Sequence, residues 1–161
     1  MMKKILLFII VAISFLQVTK AQEEADSQTE KKAFIIIYAT KNYQLASRVA
    51  EEANKNLGYK IDMRGLEYNK SLGLSIPQKD CEEHGFEFPT YIQRGRANDG
   101  NFISVEYTNA YNNFTPGYYI VVVASYTKGK TKEINKTLTK VKESYEDAYV
   151  KYTDVYMGCL H

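Results

Sequence analysis

The sequence predicts an α+β domain in which a strand–helix–strand unit occurs twice. Two apolar runs of strand length lie far apart in the chain, at residues 33–40 and 117–126. Each run is followed by a stretch with apolar residues at helical spacing. A stretch that alternates apolar and polar residues then closes each unit, and this alternation is typical of a half-buried strand.

The first unit opens with AFIIIYAT at residues 33–40, whose β-branched residues predict a buried strand. A helix is predicted over residues 42–57 because the apolar residues of this stretch share one face. They are Ala46, Val49, Ala50, Ala53 and Leu57. Asn42 is suited to cap the start of this helix, and Gly58 to end it. The alternating segment YKIDMRGL, residues 59–66, predicts the closing strand.

The second unit repeats this order, with the strand GYYIVVVASY at residues 117–126 and a helix over residues 129–145. The segment DAYVKYTDVY, residues 147–156, predicts the last strand. Two such units in one sheet give the ferredoxin-like split βαβ arrangement. It has a four-stranded antiparallel sheet with both helices on one face.

A long insert, residues 68–115, separates the two units. Within it, Asn98-Asp99-Gly100 is a turn signal between two short apolar runs, so the insert is predicted to contain an extra hairpin or edge extension. Loops of this length usually bind a ligand or are held in place by their own contacts.

The N-terminus predicts export. Lys3 and Lys4 precede the uncharged apolar run 5–16, and small residues follow at Thr19 and Ala21, which is the order of a cleavable signal peptide. We therefore expect residues 1–21 to be the signal and residues 22–32, which are charged, to be a flexible lead-in. Residues 33–161 form the single predicted domain, which is periplasmic or extracellular and has no membrane span after cleavage.

Charge argues against a nucleic-acid partner. The whole chain has 21 Lys and Arg against 19 Asp and Glu. The predicted signal contains three of the lysines and no acidic residue, so the mature chain has 18 basic residues against 19 acidic ones. A nucleic-acid-binding domain needs a clustered basic surface, and nothing in this sequence indicates one.

The chain has two cysteines, Cys81 in the insert and Cys159 near the C-terminus. An even number of cysteines in an exported chain predicts a disulfide. This bond would tie the insert to the C-terminal segment. The alternative is a pair of free buried thiols.

No catalytic or metal-binding pattern is present. The only histidines are His84 and His161, and no sequence context resembles a nucleophile elbow. The acidic residues around His84 lack the paired spacing of metal ligands. Arg94 and Arg96 suit either binding of a carboxylate or phosphate, or protection of an exposed strand edge. The prediction is a non-enzyme without metal or cofactor.

The stretch VEYTNAYNNFTPGYYIVVVASY, with the later YEDAYVKYT, resembles the second half of the SPOR domain, the sporulation-related repeat of bacterial envelope proteins. The shared features are the Pro116-Gly117 lead into an aromatic and apolar strand, its end at Ala124-Ser125-Tyr126, and the closing Ala148-Tyr149-Val150-Lys151. FIIIYATKNYQLASRVAEEA resembles the opening strand and helix of the family more loosely.

The resemblance implies binding of peptidoglycan glycan strands, especially strands stripped of peptides, along the open face of the sheet. If Ala148 and Val150 face the helices, the open side carries alternate residues. The predicted glycan-binding residues are Tyr149, Lys151, Thr153 and, in the first unit, Arg64. The alternative is a protein-interaction or inhibitor module that uses an apolar patch of the insert, centred on Phe86, Phe88, Tyr91 and Phe102.

Overall fold

The computed structural model describes residues 28–158, and it confirms the α+β class and the four-stranded antiparallel sheet. The strands are β1 (Thr29–Thr40), β2 (Glu67–Asn69), β3 (Gly73–Ser75), β4 (Gly100–Tyr107), β5 (Tyr119–Thr127) and β6 (Tyr149–Tyr156). The helices are α1 (Tyr43–Leu57), α2 (Gln78–His84) and α3 (Thr131–Lys142), with a 3-10 turn at Thr108–Ala110. Within this part of the chain no helix is long and apolar enough to cross a membrane.

The main sheet has the order β4-β5-β1-β6, and every neighbouring pair is antiparallel. The central strands β1 and β5 are rich in β-branched residues that are buried on both faces, as expected for strands covered on both sides. β2 and β3 form a separate two-stranded hairpin.

One face of the sheet packs against both long helices, and we call it the helical face. Its core contains small residues of α1, Val141 of α3, and Ile35 and Val121 of the central strands. The predicted apolar face of α1 supplies Ala46, Ala50 and Ala53, all buried. The Asn42 side chain accepts a hydrogen bond from the Leu45 N–H at 3.0 Å, so α1 begins where the capping pattern predicts.

β1 begins at Thr29, inside the segment that we predicted to be a lead-in. Lys32 explains the difference, because its side chain is only 4% exposed and pairs with Glu30 at 2.8 Å and Asp99 at 2.9 Å. A charged residue with such partners extends a strand without a buried unpaired charge. β1 therefore includes residues of the predicted lead-in, while residues 1–27, including the predicted signal, lie outside the described residues.

The predicted closing strand of the first unit, residues 59–66, is wrong. This segment runs along the outer edge of β4, and it makes only an isolated parallel bridge between Ile61 and Ile103. Arg64 and Gly65 have positive φ values of 56° and 76°, which end any extended run. The position beside β5 is taken by β4, because Phe102, Ile103 and Val105 bury apolar side chains on both faces of the sheet.

The predicted insert, residues 68–115, therefore contributes a strand to the main sheet. The turn at Asn98-Asp99-Gly100 leads into β4, which pairs with β5 and not with a second strand of a local hairpin. The remaining loops of the insert cover the second face of the sheet. We call this the insert face; its apolar core comprises Phe34, Ile36, Tyr111, Ile120, Val122 and Val155.

Cys81 anchors α2 in a small apolar cluster with Leu66 and Ile76. It is fully buried, and its Sγ atom lies 3.9 Å from the Ile76 carbonyl oxygen. The predicted partner, Cys159, lies outside the described residues, so the disulfide stays a prediction.

Candidate functional site

A buried polar network fastens the insert to the insert face. At its centre is Glu106 of β4, which is fully buried. Its carboxylate accepts two hydrogen bonds from Arg64 Nη2 at 2.8 Å, one from the Tyr91 hydroxyl at 2.5 Å and one from the Tyr111 hydroxyl at 2.7 Å. Ser104 donates a further hydrogen bond. Together these hydrogen bonds give the carboxylate the partners that a buried charge requires.

Arg94 holds a second part of the insert in place. It is fully buried, and its guanidinium lies 3.6 Å from the centre of the Phe102 ring. It donates to Ser104 Oγ at 2.7 Å and to the Phe102 carbonyl oxygen at 2.7 Å. Burial lowers the pKa of Arg94 to about 9. Arg94 therefore neither binds a surface anion nor protects a strand edge, the two roles considered from the sequence.

Two of the four predicted glycan-binding residues are not on an open face of the sheet. Thr153 is fully buried, and its hydroxyl donates to the Asn112 carbonyl oxygen at 2.9 Å. Arg64 has a side chain that is 9% exposed and is paired with Glu106. Thr153 lies under an insert loop, which alternation along a strand does not reveal. Arg64 is not on a sheet strand, because residues 59–66 do not form the predicted one.

The other two predicted residues line a cavity at the uncovered end of the insert face. Tyr149 is 43% exposed, and Lys151, two residues further along β6, lies on the same face of the strand. The cavity measures about 220 Å³. Its walls include the rings of Phe114 and Tyr118 and the threonines Thr108 and Thr115.

Cations lie beside two of these aromatic rings. Lys151 Nζ is 5.0 Å from the centre of the Phe114 ring, and Lys41 Nζ is 5.3 Å from the centre of the Tyr118 ring. Both distances are within the range of cation–π contacts. The cavity thus combines aromatic faces, hydroxyl groups and positive charge, which suits a polar ring that carries a carboxylate.

The residues considered for catalysis or metal binding lie elsewhere. His84 is exposed at the end of α2, where its Nδ1 is 2.9 Å from the Asp80 carbonyl oxygen. Glu82 and Glu83 interact with neighbouring side chains of the same helix. Among residues 28–158, no group of three or more histidine, cysteine or acidic side chains is placed to hold a metal ion. His161 lies outside the described residues.

The aromatic residues proposed as a protein-binding patch do not form one surface. Phe102 is 5% exposed and packs under Arg94. Tyr91 points its hydroxyl at Glu106, and Phe86 packs against the cluster around Cys81. Phe88 alone of these four is well exposed, at 41%.

The buried network leads to a prediction about alkaline stability. Burial, followed by the nearby Glu106 charge, raises the pKa of Tyr91 and Tyr111 well above the usual value of 10.0. Above about pH 10 the unfolded chain loses these protons and the folded chain keeps them. The free energy of unfolding therefore keeps the full contribution of these two hydroxyls below pH 10. Above pH 10 it falls by about 1.4 kcal/mol per pH unit for each tyrosine.

Urea unfolding followed by circular dichroism between pH 8 and about pH 11.5 measures this fall. Tyr111→Phe is expected to reduce the slope by the share of one tyrosine, whereas Tyr156→Phe, at a site that is 38% exposed, is the control. Equal slopes in Tyr111→Phe and the unsubstituted protein would contradict the prediction.

Glu106, the centre of the buried network, is not among the residues predicted from the sequence. The available signal was a glutamate inside the strand FISVEY, since a charge between buried apolar residues needs a partner.

Comparison of the chain with protein-family models, with curated proteins and with solved structures found no match in any of the three.

Proposed function

We propose that this chain is an exported, non-catalytic binding module that recognises peptidoglycan glycan strands. One sugar ring would occupy the cavity beside Tyr149 and Lys151. The observation that carries this proposal is the selective covering of the insert face. An insert loop buries Thr153, and Arg64 is paired with Glu106, whereas Tyr149 and Lys151 line an open cavity with two further aromatic rings.

The order of the elements supports the ferredoxin-like arrangement and, with it, the SPOR resemblance. If β4 is counted as the second strand of the first unit, the chain reads β1-α1-β4-β5-α3-β6. That is the β-α-β-β-α-β order of the split βαβ fold. The hairpin β2–β3 and helix α2 are then additions between α1 and β4.

The size of the cavity refines the mode of binding. At about 220 Å³ it is smaller than the roughly 300–1,000 Å³ of pockets that enclose drug-sized ligands. It suits a single ring better than a glycan strand lying along the whole sheet. Aromatic faces would contact the apolar side of the sugar, and the threonine hydroxyls would bind its hydroxyl groups.

The lysines favour glycan without peptides. Removing the stem peptide from peptidoglycan leaves a free carboxylate on the sugar that carried it. Lys151 lines the cavity, and Lys41 lies beside the Tyr118 ring that forms part of its wall. A charge-assisted hydrogen bond to a carboxylate is stronger than one to a neutral amide. This difference would favour glycan strands treated with an amidase.

The test is co-sedimentation of residues 22–161 with purified peptidoglycan, with and without amidase treatment. We expect binding to rise after treatment. The double variant Tyr149→Ala, Lys151→Ala is expected to bind about tenfold more weakly, since a lost ring contact and a lost charge together amount to about 1.4 kcal/mol.

A matched control is the double variant Tyr68→Ala, Lys70→Ala. Tyr68 is 39% exposed, close to the 43% of Tyr149, and it lies outside the cavity. This variant is expected to bind like the unsubstituted protein. Failure of the unsubstituted protein to bind either preparation would reject the cell-wall proposal.

A further inference from the structure

β6 is an edge strand of unusual regularity. It lies at the end of the sheet and pairs only with β1 among the described strands. Its eight residues pair with β1 without a register shift, whereas both other strand pairs of the main sheet contain shifts. Proteins usually protect such an edge with bulges, proline or a covering loop, and residues 149–156 contain no proline or glycine.

The hydrogen bonds at one end of β6 show which of its residues direct their main-chain groups away from β1. Met157 N–H donates to the Gln28 carbonyl oxygen at 2.7 Å, so residue 157 faces β1. Tyr156 faces the opposite way. Because strand residues alternate in direction, Val150, Tyr152 and Asp154 also direct their N–H and C=O groups away from β1.

The end of this edge is already occupied by side chains of the insert. Gln93 Oε1 accepts from the Tyr156 N–H at 2.7 Å, and Arg96 Nη1 donates to the Tyr156 carbonyl oxygen at 2.7 Å. These two side chains satisfy Tyr156 as a neighbouring strand would. Within residues 28–158, the free part of the edge is therefore limited to Val150, Tyr152 and Asp154.

We propose that the free edge of β6 pairs with the same edge of a second copy of this chain. Two copies related by a twofold axis place the two β6 strands antiparallel. The residue that lies on the axis then fixes which residues of the two strands pair. Three observations decide the register: the free groups, the charges along β6 and the occupied position at Tyr156.

The register centred on Tyr152 is the one that these observations allow. It pairs Tyr152 with its symmetry mate and Val150 with Asp154 of the second copy, so all outward groups of the free edge are satisfied. It also places Lys151 opposite Thr153, and no like charges face each other. Asp154 is in addition paired with Lys31 at 2.8 Å in its own chain.

The neighbouring symmetric registers are unfavourable. Centring the pair on Lys151 would place two lysines directly opposite each other, which destabilises a strand pair. Centring it on Thr153 would require the main-chain groups of Tyr156, which Gln93 and Arg96 occupy. Centring it on Val150 would shorten the overlap between the two strands and leave the main-chain N–H and C=O groups of Asp154 without partners from the second copy.

Tyr152 contributes side-chain contacts to this pairing. It is 42% exposed, and in the proposed register its ring meets the ring of the second copy on the helical face. Directly opposed aromatic residues favour strand pairing. The pairing would extend the sheet to twice its four strands.

The same twofold axis places both insert faces on one side of the extended sheet. The two cavities beside Tyr149 would then open in the same direction, so that one polymer strand can occupy both sites. This consequence rests on the proposed function. Two linked sites bind a polymer more tightly than one site, without any new contact within each site.

The test measures self-association of residues 22–161 by sedimentation equilibrium without glycan, up to about 1 mM protein. The unsubstituted protein is expected to show a concentration-dependent dimer. Tyr152→Lys and Tyr152→Glu should each dimerise about tenfold more weakly, because each places two like charges opposite each other. Phe88→Lys, at a site that is 41% exposed on the insert, should not change dimerisation.

An equimolar mixture of Tyr152→Lys and Tyr152→Glu is expected to recover dimerisation as a heterodimer. Only the register centred on Tyr152 brings the two opposite charges together, and a general loss of folding would not be rescued by mixing. A protein that remains monomeric at all concentrations would overturn the proposal, as would a mixture that associates no better than either variant. Since no glycan is present, this result is independent of the peptidoglycan test.

Discussion

Replacing Glu106 with alanine is expected to lower the free energy of unfolding by about 3–5 kcal/mol, the usual cost of removing one partner from a buried ion pair. The carboxylate is fully buried and binds Arg64 and the hydroxyls of Tyr91 and Tyr111. Alanine would leave a buried guanidinium and two buried hydroxyls without their acceptor. Urea unfolding of the variant and the unsubstituted protein measures the difference.

A double-mutant cycle separates the ion pair from the rest of this network. Arg64→Met combined with Glu106→Leu removes both charges, and we expect it to cost less than the sum of the two single variants. A loss below about 1 kcal/mol in Glu106→Ala would contradict the central role that we assign to this carboxylate.

Replacing Gly73 with alanine is expected to lower the free energy of unfolding by about 2–4 kcal/mol, through backbone strain and steric overlap together. Gly73 begins β3 with a φ of 86°, where a side chain is unfavourable. A Cβ atom would also lie 2.9 Å from Cγ of Tyr107 and closer still to its Cδ1 and Cε1 atoms. The Tyr107 ring has little room to move, because it stacks on Tyr119 with 4.9 Å between ring centres.

Gly85→Ala is a matched control for this prediction. Gly85 has a φ of 71°, and a Cβ atom at that position would meet no atom within 4 Å. Its replacement therefore measures backbone strain alone, about 1 kcal/mol. Chemical unfolding that gives equal losses for Gly73→Ala and Gly85→Ala would show that Tyr107 does not limit the space at Gly73.

Both predictions concern contacts that hold the insert in place. Glu106 fastens the loop that contains Tyr91, and Gly73 lets the β2–β3 hairpin approach Tyr107. These contacts decide how much of the insert face stays open. In our proposal, the insert reduces a possible binding surface along the sheet to one cavity beside Tyr149 and Lys151.

Local patterns in the sequence were enough to predict both long helices and three of the four strands of the main sheet. The apolar spacing and the Asn42 cap predicted α1 to within one residue, and the strands β5 and β6 begin within two residues of their predicted starts. These features depend on interactions between residues that are close in the chain, such as a cap and its N–H group. Propensity and periodicity describe such interactions well.

Strand choice required the tertiary structure. Residues 59–66 and residues 100–107 both carry a strand-like pattern, and only the second pairs with β5. Alternation shows that a segment can be half buried but not which neighbour it pairs with. β4 takes the place because its residues are buried on both faces of the sheet, whereas the earlier segment contains Arg64, which Glu106 holds at the β4 edge.

The site divides in the same way. Alternation along β6 was sufficient to place Tyr149, Lys151 and Thr153 on one face of the strand, and that assignment rests on sequence alone. Whether a residue on that face is open depends on loops that return from far along the chain, such as Asn112 over Thr153 and Tyr91 at Glu106. Burial of this kind is set by long-range packing and by the pairing of buried charges, so only the tertiary structure decided which predicted residues remain available to a ligand.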